Sequence, residues 1–212
     1  MIVLGLTGSI AMGKSETARM LRRLGMPVFD SDAAVHRIFA NDREVIRAIA
    51  KRFPDCLVDG RVDRGCLGRH VFADPGARRW LEGLIHPRVR CRTRRFLQCA
   101  RRQRRPLVVL DIPLLFETGG ESRVDRIAVV SAPAFVQRSR AMARPGMTAE
   151  RLAGILASQT SDAIKRRQAD FVLPSGGGRR LMLRAIHRML EQLASPAGIP
   201  ARRRKKRNPF DA

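Results

Sequence analysis

Short, almost continuous apolar runs recur along the chain, separated by segments in which apolar residues follow a helical spacing. Such a run predicts a strand buried on both faces, as in a parallel sheet. The first two runs, residues 2–6 and 26–29, flank a helical pattern over residues 16–24 that Gly25 brings to an end. Strand, helix and strand within about 30 residues predict a βαβ unit, and therefore an α/β fold with a parallel sheet.

The rest of the chain predicts a long helical stretch followed by three more strands. Turn signals divide the helical pattern of residues 33–105, and His86-Pro87 within it predicts the start of a new helix, since proline is tolerated in a first turn. The further strands are predicted at residues 107–110, 126–130 and 171–173. Three further helices are predicted: one at residues 134–142, one that begins after Thr148 as its N-cap, and one at residues 179–193.

The loop after the first strand carries a phosphate-binding signature. It reads Gly8-Ser9-Ile10-Ala11-Met12-Gly13-Lys14-Ser15, which fits G-x-x-x-x-G-K-[ST], and it lies between a predicted strand and a predicted helix, as the motif requires. Its glycines allow successive backbone N–H groups to turn inward around an anion at the helix N-terminus. The motif predicts that Lys14 bridges the terminal phosphates of a nucleoside triphosphate and that Ser15 Oγ ligates Mg²⁺.

Two carboxylates, Asp30 and Asp32, follow the second strand. In open α/β sheets, ligands bind outside the carboxyl ends of the strands. A carboxylate at this place can accept a proton from a hydroxyl while a phosphoryl group moves onto that hydroxyl. The alternative function is capping of the helix that begins near Ala33, and the pair predicts one residue for each task.

The charge of the chain also points to a phosphate-bearing partner. The 212 residues include 42 Lys+Arg and 19 Asp+Glu, for a net charge of +23, but only five of the basic residues are lysines and the arginines lie in every segment. A nucleic-acid-binding protein is the competing class. Aromatic residues are 5% of the chain and tyrosine is absent, so platforms for base stacking are scarce. Helix-turn-helix and zinc-finger spacings are absent as well, which disfavours that class.

Neither membrane insertion nor a cysteine-based metal site is predicted. No apolar run approaches the roughly 20 residues of a membrane span, and the N-terminal run is too short for a signal peptide, so we expect a soluble, cytoplasmic protein. The four cysteines contain no C-x-x-C pair and no histidine at zinc-ligand spacing, which predicts buried free thiols. They are Cys56, Cys66, Cys91 and Cys99.

Several motifs follow one another in a fixed order around the phosphate loop. The run that leads into the loop is Leu4-Gly5-Leu6-Thr7-Gly8, and the later motifs are Asp30-Ser31-Asp32-Ala33-Ala34-Val35-His36, Trp80-Leu81 with Leu84-Ile85-His86-Pro87, Asp111-Ile112-Pro113-Leu114-Leu115-Phe116-Glu117, Arg140 with Arg144, and Ser158-Gln159 with Ala169-Asp170-Phe171-Val172.

In this order the motifs resemble the dephospho-coenzyme A kinase family over about residues 1–193. The resemblance implies a P-loop NTPase core with a five-stranded parallel sheet, an inserted helical substrate domain and a short lid. It also implies the reaction, in which ATP phosphorylates the ribose 3′-hydroxyl of dephospho-coenzyme A to give coenzyme A and ADP. The expected boundaries are 1–32, 106–138 and 157–195 for the core, 33–105 for the substrate domain, 139–156 for the lid and 196–212 for a basic disordered tail.

The resemblance also implies roles for individual residues. Asp32 matches the general base, with Asp30 and His86 beside it as substrate-binding residues, although His86 is equally suited to capping its helix. Arg140 and Arg144 match lid arginines that stabilise the transferring group, with an exposed helix face as the alternative. Asp111 is expected to reach Mg²⁺ through water, and ATP is expected to contact Gly8, Ala11, Met12, Gly13, Lys14, Ser15 and Glu16.

Two residues depart from the family pattern. Ala11 stands where the family usually has glycine, and a positive φ there would cost about 1 kcal/mol. Glu16 stands where many members have threonine, and its carboxylate would repel phosphate unless it turns toward a neighbouring arginine. These departures predict weaker ATP binding. The alternative enzyme is a nucleoside or nucleotide kinase with another acceptor, and we expect a monomer or weak homo-oligomer with no nucleic acid as main partner.

Overall fold

The computed structural model describes residues 1–195, so the predicted tail lies outside the described residues. The chain divides into two compact units, one formed by Met1–Phe29 with the chain from Ala100 onward, the other by Asp30–Cys99. In chain order the elements are β1 (Ile2–Thr7), α1 (Lys14–Arg23), β2 (Val28–Asp30), α2 (Ser31–Asn41), α3 (Arg43–Arg52), β3 (Leu57–Val58), β4 (Arg61–Val62), α4 (Arg64–Ala73), α5 (Pro75–Arg102), β5 (Leu107–Asp111), β6 (Arg126–Ser131), α6 (Ala134–Met142), α7 (Ala149–Ala157), α8 (Asp162–Gln168), β7 (Phe171–Pro174) and α9 (Gly178–Ala194).

The first unit is built around a five-stranded sheet in the order β2-β5-β1-β6-β7. β1 lies at its centre and pairs in parallel with β5 and β6, and β6 pairs in parallel with β7. The central position fits its sequence, because Leu4 and Leu6 are fully buried and pack with apolar side chains of α1 and α9. The predicted α/β fold with a five-stranded parallel sheet is confirmed.

The first helix and the second strand differ slightly from the sequence prediction. α1 begins at Lys14 because Gly13, with φ 92°, carries the phosphate loop directly into the first helical turn. β2 begins two residues later than predicted, since the Met26 N–H bonds to Leu21 O and so closes the turn after α1. The phosphate loop therefore ends at the helix N-terminus, as the motif requires.

The second unit consists of α2 to α4, most of α5 and the short β3–β4 hairpin. Its own apolar core draws side chains from each of these helices, so the helical pattern of the sequence reflects a separate packing unit. The fully buried members of this core are Ile38, Val45, Ile49 and Cys56.

The prediction that a helix begins at His86-Pro87 is wrong, because α5 runs without a break over Pro75–Arg102. A proline inside a helix usually costs about 3 kcal/mol through a lost hydrogen bond and a clash. Here apolar residues on both sides of Pro87 pack into the same core, which holds the helix together. The Arg88 guanidinium also donates to Leu84 O at 2.9 Å, beside the missing hydrogen bond.

The arginine-rich surface of α5 takes part in ion pairing within the second unit. Arg88 pairs with Asp42 at 3.0 Å and with Glu44 at 2.9 Å, and so links α5 to the start of α3.

Over residues 1–195, no helix combines the length and the apolar character that a membrane span needs.

The cysteine prediction is wrong in two respects. Cys56 and Cys66 are buried but joined by a disulfide, because the β3–β4 hairpin between them brings their Cα atoms to 5.3 Å. Cys91 and Cys99 carry thiols but are exposed on α5. A spacing of ten residues matches no short motif, so the pattern of the sequence gave no indication of this contact.

Candidate active site

The phosphate loop has its shape because two positions accept only glycine. A Cβ at Gly8 would lie 2.7 Å from Val130 O, closer than a carbon and an oxygen can approach. Gly13 has φ 92°, and a Cβ there would also lie 3.1 Å from Ser175 Oγ. Both glycines of the motif are therefore explained by contacts with neighbouring strands and loops, as well as by backbone conformation.

Ala11 adopts the left-handed backbone conformation, with a positive φ of 59°. The conformation costs about 1 kcal/mol for a residue with a Cβ. Its methyl group is buried against Ala141 and Leu152, and burial of one such group gains about 0.8 kcal/mol. The two effects nearly cancel, which explains how the loop tolerates alanine here.

Side chains from distant segments hold the loop in place. Gln159 Oε1 accepts from Ile10 N at 3.1 Å, and Gln137 Nε2 donates to Ile10 O at 2.9 Å. On the other side of the loop, Ser175 Oγ donates to Met12 O at 2.5 Å. Two of these bonds engage the carbonyl groups of Ile10 and Met12, and the third engages the N–H of Ile10, so side chains from three distant positions fix the loop backbone.

A buried ion pair supports the segment that carries Gln159. Lys165 is fully buried on α8, and its Nζ lies 2.8 Å from Glu117 Oε1. The same oxygen accepts from Thr160 N at 2.9 Å. Burial raises the pKa of Glu117, but the hydrogen bonds from Lys165 and from backbone N–H groups outweigh it, so the pKa lies below its ordinary value. Glu117 thus helps to position the segment that carries Gln159, a role that was not predicted from the sequence.

The lysine of the loop is already paired with an acid. Lys14 Nζ donates to Asp111 Oδ1 at 2.6 Å, at the carboxyl end of β5, where the side chain of Asp111 is almost fully buried. Lys14 and Asp111 are therefore neighbours at the base of the loop. Ser15 lies exposed in the first turn of α1, next to Lys14 in the chain.

Arg140 points back toward the loop from the end of α6. Its Nη1 donates to Ser175 Oγ at 2.9 Å and its Nη2 to Ser175 O at 2.7 Å. Since Ser175 also bonds to the loop, Arg140 is held next to it, and the alternative of a simple exposed helix face does not apply. Arg140 also lines a cavity of about 240 Å³ together with Gly13, Glu16 and Arg179.

Arg144 is placed differently from Arg140. It follows α6, in the turn that leads to α7, and it is exposed. The two arginines thus share the segment between α6 and α7, but the structure brings only Arg140 to the phosphate loop.

Glu16 turns toward two arginines, the orientation predicted as the condition for phosphate binding. Its Oε1 lies 3.0 Å from Arg179 Nη2, and its Oε2 pairs with Arg19 one turn along α1. Two guanidinium groups therefore offset the carboxylate charge beside the loop.

In the second unit, one residue of the acidic pair caps a helix, as predicted. Asp30 Oδ1 accepts from Ala33 N at 2.9 Å and caps α2, whereas Asp32 lies exposed in the first turn of that helix. His86 is exposed in the middle of α5, so the capping role proposed for it is excluded.

The first unit thus brings together the loop, Asp111, Arg140 and Glu16, whereas Arg144 lies apart in a turn. The second unit carries Asp30, Asp32 and His86. Sequence reasoning missed several residues that support the site. Gln137 and Ser175 bond to the loop, Thr160 and Lys165 contact Glu117, and Arg179 pairs with Glu16. Local patterns contain no signal for them, because they reach these partners only through tertiary packing.

Comparisons with known proteins find relatives that match most of the chain. A family model described as dephospho-CoA kinase matches residues 2–179. The chain is 57% identical over 166 residues to the dephospho-CoA kinase of Paramagnetospirillum magneticum, which is 78% of each protein. It is 49% identical over 208 residues to that of Rhodospirillum rubrum, which is 97% of each protein.

A solved structure shows the same likeness in three dimensions. The crystal structure of TT1252 from Thermus thermophilus superposes with a TM-score of 0.78 at 38% identity, and covers 92% of this chain and 98% of that one. Because the family model spans most of the chain and the two relatives are 57% and 49% identical to it, the chain belongs to the dephospho-CoA kinase family.

Proposed function

We propose that this enzyme uses ATP to phosphorylate the ribose 3′-hydroxyl of dephospho-coenzyme A, which gives coenzyme A and ADP in the last step of coenzyme A biosynthesis. The observation that carries the proposal is the phosphate loop with its lysine paired to Asp111, in a chain that matches the family over residues 2–179. The loop geometry suits a nucleoside triphosphate, and family membership supports the acceptor.

ATP would lie along the loop, with its phosphates facing the N–H groups at the start of α1. Lys14 would exchange its contact with Asp111 for one with the terminal phosphates, since a lysine binds phosphate as a mobile point charge. Arg140, fixed by Ser175, adds a positive charge on the same side of the loop. The proposed ATP contacts are Gly8, Ala11, Met12, Gly13, Lys14, Ser15 and Glu16.

The residues present also fit Mg²⁺, which kinases of this class use with ATP. Mg²⁺ prefers hard oxygen ligands and keeps several of its waters. Ser15 offers an exposed hydroxyl and Asp111 a carboxylate in the same unit, so Ser15 would bind directly and Asp111 through water. When bound, the ion would neutralise charge on the β- and γ-phosphates.

The acceptor would be oriented by residues of the helical unit. In the transfer, the 3′-oxygen forms a bond to the γ-phosphorus, the bond from that phosphorus to the bridging oxygen breaks, and ADP leaves. Asp32 would accept the proton of the 3′-hydroxyl, and Asp30 and His86 would contact the acceptor. Arg140 and Arg144 would stabilise negative charge on the transferring group.

The domain boundaries follow the same proposal. Residues 33–105 would bind the acceptor, and residues 139–156 would close over ATP as a lid. The enzyme would act in the cytoplasm as a monomer or weak homo-oligomer, with small molecules and not nucleic acid as its main partners. Sedimentation analysis at micromolar concentration tests the oligomeric state.

The choice of acceptor is tested by ADP formation with a panel of hydroxyl compounds. We expect turnover with dephospho-coenzyme A, and little with adenosine, other nucleosides or nucleoside monophosphates. Mass spectrometry should find one added phosphate, and a 3′-nucleotidase should remove it. Lys14→Ala should abolish turnover, with Lys51→Ala as the control for loss of a distant lysine. Preferential turnover of a nucleoside or nucleotide would instead establish the alternative kinase.

A second test concerns Glu16. Replacement by threonine should lower KM for ATP about two- to fivefold, because it removes a negative charge whose effect Arg19 and Arg179 already reduce. Glu16→Gln, which removes the charge without adding the threonine hydroxyl, separates electrostatics from hydrogen bonding. Steady-state kinetics with saturating acceptor measures both variants, and an unchanged KM in both would contradict the prediction.

A further inference from the structure

Four metal-ligating side chains converge in the helical unit, at a place the proposed reaction does not use. The ligand atoms of Asp55, Cys56, Cys66 and His70 all lie within 4.8 Å of one another. Cys56 follows α3 in a tight turn, and Cys66 lies in the first turn of α4. His70 is one helical turn further along α4, so it shares a face with Cys66.

The local sequence fixes each of these positions. Asp63 caps α4 through Gly65 N and Cys66 N, which orients the first turn. Within the hairpin, Asp63 N donates to Cys56 O at 2.8 Å, and this bond brings the two cysteines to the same end of the ribbon. The cluster is thus built by a helix cap and a hairpin, both of which are rigid local structures.

A disulfide alone does not account for the two other side chains. Asp55 Oδ2 lies 2.7 Å from His70 Nε2 and 3.3 Å from Cys66 Sγ. A disulfide sulphur has no proton to donate, so the contact with Cys66 is a hydrogen bond only when the cysteine is a thiol. Reduction of the disulfide would therefore allow Cys66 to donate a hydrogen bond to Asp55.

We propose that, with both cysteines reduced, Asp55, Cys56, Cys66 and His70 form a tetrahedral zinc site. Two thiolates, one imidazole and one carboxylate are ligands that Zn²⁺ accepts. Zinc bond lengths of about 2.0–2.3 Å place neighbouring ligand atoms about 3.3–3.8 Å apart. The 3.3 Å between Asp55 Oδ2 and Cys66 Sγ already fits this range, whereas the 2.7 Å contact with His70 Nε2 and the pair of bonded sulphur atoms would have to open around the ion. Reduction of the disulfide by a dithiol gives two thiols and an oxidised dithiol, and metal binding then releases the two thiol protons.

The surroundings suit a structural ion. Cys56 and Cys66 are buried, whereas His70 and Asp55 reach the surface, so the ion has a path of entry on one side. The His70 ring packs against Phe53 with centroids 5.0 Å apart, which holds the imidazole in place. A bound ion would link the end of α3, the hairpin and α4, and would thereby stabilise the helical unit.

The experiment measures metal directly. Full-length protein is purified with a dithiol reductant and without chelator. Inductively coupled plasma mass spectrometry should then find one zinc ion per chain. Replacement of zinc by Co²⁺ should produce a thiolate-to-cobalt charge-transfer band and the intense visible bands of a tetrahedral site. Cys66→Ser should lose the charge-transfer intensity and the zinc.

Matched variants guard against an effect of misfolding. His70→Asn and Asp55→Asn leave both cysteines in place and should weaken Co²⁺ binding by at least about 100-fold. Loss of a residue that only hydrogen-bonds to a metal ligand has a smaller effect. Asp59→Asn, in the exposed turn of the same hairpin, and Cys91→Ser with Cys99→Ser, which removes the exposed thiols, should bind one ion as wild type does.

Two results would overturn the proposal. Reduced wild-type protein that binds neither zinc nor cobalt would show that the pair forms only a disulfide, and thiol counting would then find two thiols before reduction and four after it. Zinc that persists in Cys66→Ser and His70→Asn would place the ion elsewhere. Circular dichroism and acceptor-dependent ADP formation establish that each variant is folded.

Discussion

Replacement of Glu117 by glutamine is expected to lower the free energy of unfolding by about 3 kcal/mol, the lower end of the range for removing one partner of a buried ion pair. The cost arises because Lys165 is fully buried and would lose the carboxylate that lies 2.8 Å from its Nζ. The amide oxygen of glutamine can still accept from Thr160 N, which limits the loss. Urea unfolding followed by circular dichroism measures the effect.

The matched control is Glu191→Gln, on the exposed surface of α9, which should change the free energy by less than about 0.5 kcal/mol. The pH dependence provides a second readout. Because the pKa of Glu117 lies below its ordinary value of 4.5, its stabilising charge is fully present above that pH and is lost as the pH falls through the lower, folded-state pKa. The difference between wild type and Glu117→Gln should therefore shrink in acid.

A double variant separates charge burial from packing. Glu117→Gln combined with Lys165→Met removes both charges, so its free energy of unfolding should exceed that of Glu117→Gln alone. If the two changes were simply additive, the pair would not interact energetically, and the support of residues 159–161 would have to come from other contacts.

The sequence predicted the framework of the first unit because the signals there are local. Apolar runs at residues 2–6 and 107–110 are long enough to indicate buried strands, and the phosphate loop between strand and helix satisfies a motif with few alternatives. The predicted boundaries were less accurate. α1 begins earlier than predicted, directly after Gly13, and β2 begins later, after the turn around Met26. Such shifts depend on individual hydrogen bonds that a pattern does not contain.

The contacts that hold the site were not predictable in the same way. Ser175 lies 163 residues from Met12, and Gln159 lies 149 residues from Ile10, so only the folded sheet brings them to the loop. The orientation of Glu16 was predicted as a condition for phosphate binding, but Arg179 as its partner was not. Sequence therefore predicted the residues that we expect to face the ligand and missed those that position the loop.

The helical unit shows the opposite limitation, in which a local signal misleads. Pro87 is typical of a helix start, yet the shared core on both sides of it keeps α5 continuous. The ten-residue separation of Cys56 and Cys66 matches no motif, yet a short hairpin joins them. In both cases tertiary packing outweighs the local preference.

Asp32→Asn is expected to lower kcat by at least about 100-fold, within the range for loss of a general base. An asparagine keeps the size of the side chain but cannot take the proton of the 3′-hydroxyl, and it also orients that hydroxyl less well for in-line attack. Since Asp32 is exposed, the free energy of unfolding should stay within about 0.5 kcal/mol of wild type. KM for ATP should be unchanged, because the substitution removes nothing from the phosphate loop.

Asp30→Asn is the matched control, two residues away and of the same chemistry. Asparagine caps a helix as well as aspartate does, so the bond from Ala33 N and the stability of α2 should be retained. Loss of its charge should raise KM for the acceptor and leave kcat within about tenfold of wild type, since a uniform binding contribution appears in KM. If kcat fell with Asp30→Asn and survived Asp32→Asn, the roles of the two carboxylates would be reversed, and the base would be the helix cap.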